Sequence, residues 1–173
     1  LLKSENKILK KDLSASIIDL GDDILNVEFH SILQPTLNPI DGSYVEMINE
    51  AMDLIESNQF RALVIGNEGP NFSAGANLNL LLELSQNEEW DALEYAVKKF
   101  QDLSQRIRFC SGPVVAAPFQ LTLGGGVEIV QPAAHRVAAA ETYMGLVEVG
   151  VGLIPGKNVP KYDKGQTLYF GGE

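Results

Sequence analysis

Cysteine is almost absent from this chain: Cys110 stands alone among 173 residues. An internal disulfide is therefore excluded, and the usage points to a reducing compartment, with a cytoplasmic location expected. Histidine is nearly as scarce, with only His30 and His135. One thiol and two separated imidazoles form no zinc-like ligand cluster, so no metal is expected. Neither histidine has a triad around it, because neither Ser73 nor Ser111 sits in a G-x-S-x-G elbow. Positive charge is also short. Thirteen Lys and Arg face 23 Asp and Glu, a net charge of −10. Such a chain repels a phosphate backbone, which disfavours nucleic acid as a partner. No apolar run reaches the roughly 18 residues of a membrane helix, so no membrane partner is expected. The basic stretch at residues 3–12 lacks the apolar centre and cleavage site of a signal peptide.

What remains is a globular balance, 45% hydrophobic and 21% charged, in a length that suits one domain or most of one. The chain starts at Leu1 rather than Met, as an expressed fragment or a processed product would. Residues 1–14 read as a lead-in or linker. Residues 16–30 read as two strands around the turn Gly21-Asp22-Asp23, with period-two alternation through Leu25, Val27 and Phe29. Residues 31–43, with Pro35, Asn38, Pro39 and Gly42, read as an irregular loop. Asp41 or Ser43 then caps a helix whose apolar face is Val45, Ile48, Met52 and Ile55. Residues 62–66 are a short buried strand, followed by a loop of small residues from Asn67 to Leu78. The spacing of Trp90, Leu93, Val97, Phe100, Leu103 and Ile107 predicts a helix over 90–107, with Trp90 in the core. Residues 114–117 and 136–140 read as further strands, and 122–130 as a glycine loop entering a helix. Residues 143–155 read as a glycine-punctuated apolar loop. Repeated strand, loop and helix argue an α/β fold with crossover connections. Residues 157–173 are polar and aperiodic and carry no assigned role.

Two places join a buried strand to a small-residue loop, 72–78 and 121–128. Glycines there leave backbone N–H groups unobstructed, and a following helix adds unpaired donors. Two such loops face to face can hold one oxygen between two N–H groups, an oxyanion hole worth about 2.7–4 kcal/mol per donor. Close helix–strand packing accounts for Gly124-Gly125-Gly126 equally well. A dinucleotide or phosphate loop does not fit, since G-x-G-x-x-G spacing and Gly-Lys-Ser/Thr are both lacking. Glu128 opens an apolar helix, and Glu148 lies alone in an apolar stretch. Either could simply be a helix cap, a rim residue or, for Glu148, a partner of Arg136. Together, beside two N–H donors, they make a coherent acid–base pair.

These residues resemble a known family. The stretches Phe72-Ser73-Ala74-Gly75-Ala76-Asn77-Leu78, Leu123-Gly124-Gly125-Gly126-Val127-Glu128 and Met144-Gly145-Leu146-Val147-Glu148, with Gly152-Leu153-Ile154-Pro155-Gly156, look like the crotonase (enoyl-CoA hydratase/isomerase) superfamily. Residues 15–156 would form the crotonase-like domain. The stretch from Phe109 to Pro155 looks most like the hydratase portion of bifunctional hydroxyacyl-CoA dehydrogenase/enoyl-CoA hydratase chains. The resemblance implies an α/β crotonase fold of repeated ββα units around a spiral core. The C-terminal helices of that fold are missing from these 173 residues. It implies syn addition of water to 2-enoyl-CoA thioesters in fatty-acid oxidation, an acyl-CoA substrate and no cofactor beyond the substrate's own CoA. A trimer-based homo-oligomer and a fused or associated dehydrogenase are implied as partners.

By the same resemblance Glu128 and Glu148 are catalytic, and Ala76 and Gly125 donate to the thioester oxygen. Ser73, Ala74, Leu78 and Gly124 line the CoA and substrate path, with backbone groups of Ser73 and Ala74 at the adenine. Two departures stand out: Asn77 replaces the family's frequent Asp, and Pro118-Phe119-Gln120 replaces an Asn-Gly pair. An aromatic at position 119 is expected to reshape the acyl pocket. The alternatives are a 3-enoyl/2-enoyl-CoA isomerase, which needs mainly one carboxylate, and a non-catalytic CoA-ester binding or assembly domain.

Overall fold

A computed structural model describes residues 7–153 of the chain. The 157–173 tail and the Ile154-Pro155-Gly156 end of the third motif lie outside the described residues.

The first hairpin follows from its turn. Asp22 and Asp23 both adopt left-handed φ values, 52° and 59°, which matches the twist of the strands they join. β2 (Ala15–Gly21) and β3 (Ile24–Phe29) therefore pair antiparallel, with Ala15 opposite Phe29. The lead-in is not a linker throughout, a correction to its reading from sequence. Ile8–Lys11 form an edge strand, β1, antiparallel to β2. Its alternation is too short to be read from sequence, and its stability comes from pairing with β2.

α1 (Gly42–Glu56) starts at Asp41, whose carboxylate accepts from the Tyr44 N–H at 2.9 Å. It buries Val45, Ile48, Met52 and Ile55 as the spacing predicts, and Tyr44 and Met47 besides. β4 (Ala62–Gly66) then runs parallel to β3, and β5 (Val114–Ala116) parallel to β4. β7 (His135–Arg136) closes the far edge, giving the order β1-β2-β3-β4-β5-β7. The predicted 136–140 strand shrinks to that dipeptide. Beyond it, Val137 and Ala139 N–H groups bond to Ala116 and Pro118 carbonyls as a loop. A second, two-stranded parallel sheet pairs β6 (Leu121–Leu123) with β8 (Tyr143–Gly145).

Two further helices separate β4 from β5. α2 (Leu78–Gln86) is capped by Asn77, and no residue of it is buried. It lies between the small-residue loop and the predicted 90–107 helix, in a stretch where no helix is expected from the sequence. α3 (Trp90–Phe109) matches its predicted span, but only Leu103, Ser104 and Ile107 are buried. Trp90 is 57% exposed, against the expectation of a core tryptophan. Helical spacing identifies an apolar stripe, yet only the C-terminal half of this stripe reaches α1 and α4 (Gly125–Val130). The core fills the space between the sheet and these helices, with Leu25, Val27, Leu63, Ile65, Met52 and Ile129 at its centre.

Candidate active site

The loops after β3, β4 and β5 lie at the carboxyl ends of parallel strands, where α/β sheets place ligands. The loop after β4 carries the first motif. Gly75 has φ +96°, which disfavours a side chain there, and a Cβ on it would stand 2.9 Å from Leu123 O and 3.0 Å from Gly125 N. A Cβ on Gly126 would stand 2.8 Å from Ser73 O. A Cβ on Gly125 would stand 3.5 Å from Ala76 N, and 3.4 Å from the tip of Phe100. The two small-residue loops are therefore in contact, and the glycines are what allow it.

β6 tightens the same approach. Ser73 N–H donates to Leu121 O at 3.0 Å, and Leu123 N–H donates to Ser73 O at 2.8 Å. Ser73 Oγ accepts from Gly75 N–H at 3.0 Å, and the residue is fully buried. With N–H, carbonyl and hydroxyl oxygen all engaged inside the protein, Ser73 shapes the loop. The adenine contact that the resemblance implies for Ser73 would use backbone groups already engaged in these bonds. Ala74 is half-buried, and its N–H donates to Leu37 O at 2.8 Å. Ala76 is exposed and Gly125 buried. Neither of their N–H groups donates to a loop or turn carbonyl among the described residues. Leu78 opens α2 and is 46% exposed.

The glutamates approach the glycine turn from two elements. Glu128 lies in the first turn of α4, is 4% exposed, and takes Ser104 Oγ–H on its backbone carbonyl at 3.4 Å. Glu148 starts a 3-10 turn, Glu148–Val151, after β8. Gly124 N–H donates to Gly145 O at 2.9 Å, which draws that segment onto the turn. A Cβ on Gly124 would stand 3.1 Å from Glu148 Oε1. Glu148 Oε2 is buried with no hydrogen-bond partner among the described residues. Arg136 does not pair with it: its guanidinium donates to the Gln131 and Ala133 carbonyls. Phe119 is also redirected. Its ring packs edge-on against Phe72, centroids 6.4 Å apart, and lies partly buried against the core. Gln120 beside it takes a left-handed φ of 46° and remains exposed.

One part of this site was not visible in the sequence. Segment 36–40, read only as loop, lies along 71–76 and forms an isolated parallel bridge between Ile40 and Ala76. Ile40 N–H donates to Gly75 O at 2.8 Å, and Asn71 Nδ2 donates to Thr36 O at 2.9 Å. The sole sequence signal was two asparagines near glycines and prolines, which any turn shares.

Among the described residues no group of His, Cys, Asp and Glu could hold a metal ion, and no helix is long and apolar enough to cross a membrane.

This architecture is that of solved enoyl-CoA hydratases. The structure matches the enzyme from Thermoplasma volcanium GSS1 with a TM-score of 0.70 at 27% identity, over 84% of this chain and 56% of that one. The family model described as enoyl-CoA hydratase/isomerase matches residues 33–159, and the chain belongs to that family. Among curated relatives, a probable 3-hydroxyacyl-CoA dehydrogenase of Bacillus subtilis is 45% identical over 155 residues, 90% of this chain but 19% of that protein. A probable enoyl-CoA hydratase of the same organism is 31% identical over 137 residues, 76% of this chain and 52% of that protein. The chain thus spans about a fifth of the first relative and about half of the second.

Proposed function

We propose that this site hydrates 2-enoyl-CoA thioesters. The observation that carries the reading is the Glu148 carboxyl group folded over Gly124, one oxygen buried and without a partner among the described residues, next to the close approach of Gly125 to Ala76 N. In the reading, the Ala76 and Gly125 N–H groups hold the thioester oxygen. As water adds to C3, negative charge moves onto that oxygen, and preorganised donors stabilise it there. Glu128 takes a proton from the attacking water, and Glu148 delivers a proton to C2. The water's O–H bond breaks, C3–O and C2–H bonds form, and the enoyl double bond becomes single. Atoms and charge balance without a cofactor. Ala74, Leu78 and Gly124 lie along the path proposed for the CoA and acyl portions.

An acid and a base on opposite ends of a double bond favour hydration over isomerisation, for which one carboxylate suffices. The relatives extend the proposal outward. The name of the Bacillus subtilis dehydrogenase, of which this chain matches a fifth, supports a fused or associated hydroxyacyl-CoA dehydrogenase. Such a partner would oxidise the 3-hydroxy product.

The test is direct. The protein carrying this sequence, mixed with crotonyl-CoA, should bleach the absorbance of the conjugated thioester and yield 3-hydroxybutyryl-CoA. Conversion of 3-enoyl-CoA to 2-enoyl-CoA without hydration would replace the reading with the isomerase. Binding of acyl-CoA with neither reaction would make this a CoA-ester binding domain.

A further inference from the structure

Hydration as proposed gives no role to the segment after β3, yet its most constrained residue reaches the site. Asn38 is 2% exposed and holds a left-handed φ of 47°, a conformation asparagine tolerates better than most side chains. Its side-chain amide is fully used. Nδ2 donates to Phe72 O at 3.0 Å and to Phe29 O at 3.3 Å, and Oδ1 accepts from Ser31 N–H at 2.8 Å. Phe29 ends β3, and Phe72 begins the loop that carries Ala76. The amide therefore ties the end of a core strand to the base of that loop. Two residues on, Ile40 forms a parallel bridge with Ala76 itself. Ala74 N–H also reaches across to Leu37 O. The 36–40 segment thus braces the Ala76 loop from one side while β6 holds it from the other.

We propose that Asn38 is a positioning residue for the Ala76 N–H, acting through Phe72 and the Ile40–Ala76 bridge. This rests on the hydratase reading of the same site. The physical demand is geometric: a donor stabilises developing charge only when aimed at the place the oxygen will occupy. The Ala76 loop is polar backbone near the surface, with no large side chain of its own between Ser73 and Ala76. Its position must come from hydrogen bonds supplied by neighbours, and Asn38 supplies the one that joins it to the end of β3, beside the bond from Asn67 Nδ2 to the same Phe72 carbonyl at 3.0 Å. Aspartate at 38 keeps the size and the acceptor but turns both donations into repulsion between a carboxylate and carbonyls. Glycine keeps the left-handed backbone and removes the side chain.

The experiment compares wild type, Asn38→Asp, Asn38→Gly and a core control, Ile55→Val, which lies at the far end of α1. Three quantities are measured: melting temperature, kcat and KM with crotonyl-CoA, and the infrared C=O stretch of bound butyryl-CoA labelled with carbon-13 at the carbonyl. Butyryl-CoA has no double bond to hydrate, so the stretch reads donor alignment at saturation. In wild type, two N–H donors should lower that stretch. Both Asn38 variants should lose part of the lowering and about 10²-fold in kcat, the scale of a misplacement near 1 Å. KM should move less than kcat. The control should keep the shift and kcat even where its melting temperature falls. If Asn38→Asp does not fold, Asn38→Gly decides the question alone. An unchanged stretch and kcat in a folded Asn38 variant would overturn the proposal, leaving Asn38 a stability residue. If wild type itself binds butyryl-CoA without a shift and leaves crotonyl-CoA unchanged, the hydratase reading is what fails, and the Asn38 proposal falls with it.

Discussion

The Ala76 loop and the Glu148 arm meet at the same glycine turn, but they are held there differently. The Ala76 side is braced by burial. Phe72 is fully buried and stacks edge-on against Phe29, centroids 5.0 Å apart, with Tyr44 4.3 Å beyond. Three asparagines, Asn38, Asn67 and Asn71, tie its backbone to the neighbouring segments. Among the described residues the Glu148 side is held mainly by backbone: three residue pairs of β6 with β8, and the Gly124–Gly145 hydrogen bond. Its apolar side chains Tyr143, Met144, Leu146, Val147 and Val149 are all exposed. Apolar burial makes a segment cooperative with the core, whereas exposed backbone pairing opens at lower free energy. The base of the Ala76 loop is thus anchored in the core at Phe72, whereas the segment that carries Glu148 is attached at its edge.

The carboxylates give the largest expected effect. Under the proposed hydration, Glu128→Gln and Glu148→Gln should each lower kcat for crotonyl-CoA by about 10²–10⁴-fold, since each would remove an acid–base group while keeping shape. Exchange of the C2 proton with deuterium oxide separates them. It should survive in part in Glu128→Gln and vanish in Glu148→Gln. The double variant should fall short of the product of the two losses, because both groups act on one water. Near wild-type rates in both single variants would remove the site's central claim.

A pair of glycine substitutions tests the braced side against the arm. Gly126→Ala forces a Cβ to within 2.8 Å of Ser73 O and 3.1 Å of Ser73 Cβ. Backbone must move, so stability should fall by about 1–3 kcal/mol, together with activity. A Cβ on Gly150, in the arm, would meet nothing within 4 Å, and the backbone there has no positive φ. Gly150→Ala should be neutral or should gain up to about 1 kcal/mol by restricting the unfolded chain. Denaturant midpoints check both. Equal costs would mean that the arm is packed as tightly as the loop.

Tyr44 refines the picture of the braced side. Its hydroxyl is buried without a hydrogen-bond partner among the described residues, and burial pushes the phenol well above its ordinary pKa. A buried unsatisfied group costs about 1–3 kcal/mol, so Tyr44→Phe should raise stability by about 1 kcal/mol with the ring stacking intact. A loss of that size in a thermal melt would show that the hydroxyl has a partner that matters.

The smallest effect is one of pH. Burial pulls the Asp12 carboxyl up. The hydrogen bond from Ser43 Oγ and those from the Ser14 and Ala15 N–H groups outweigh it and hold the carboxyl below its usual value of 3.8. A carboxyl lowered by folding stabilises the protein above the unfolded value. That contribution disappears as pH falls through the folded value, below 3.8. Asp12→Asn should therefore melt slightly lower than wild type at pH 7 and approach it at pH 3. A gap that widens on acidification would contradict the assignment. Because Asp12 and Ser43 clamp the start of α1, the effect belongs to the braced side.

The amino-acid sequence by itself determined the strands of the first hairpin, the face of α1, the buried strands over 62–66 and 114–116, and the two loops that meet at the site. Those features are local: a period of two or 3.6, or a run of small residues after an apolar strand, is written within a dozen positions. The candidate glutamates and glycines were legible for the same reason, with their roles supplied by a family resemblance. Only the tertiary structure decided what depends on distant neighbours. Trp90 has helical spacing, but the buried part of α3 is confined to Leu103, Ser104 and Ile107, and Trp90 at the other end stays exposed. Phe119 turns to the core because Phe72, 47 positions earlier, offers its ring there. Ser73 is drawn inside because β6 pairs with both of its backbone groups. Asn38 reads as an ordinary turn residue until folding brings the Phe72 carbonyl, 34 positions away, to its amide. Periodicity reports which side of a segment is apolar, while the partner that meets that side exists only once the chain has closed on itself.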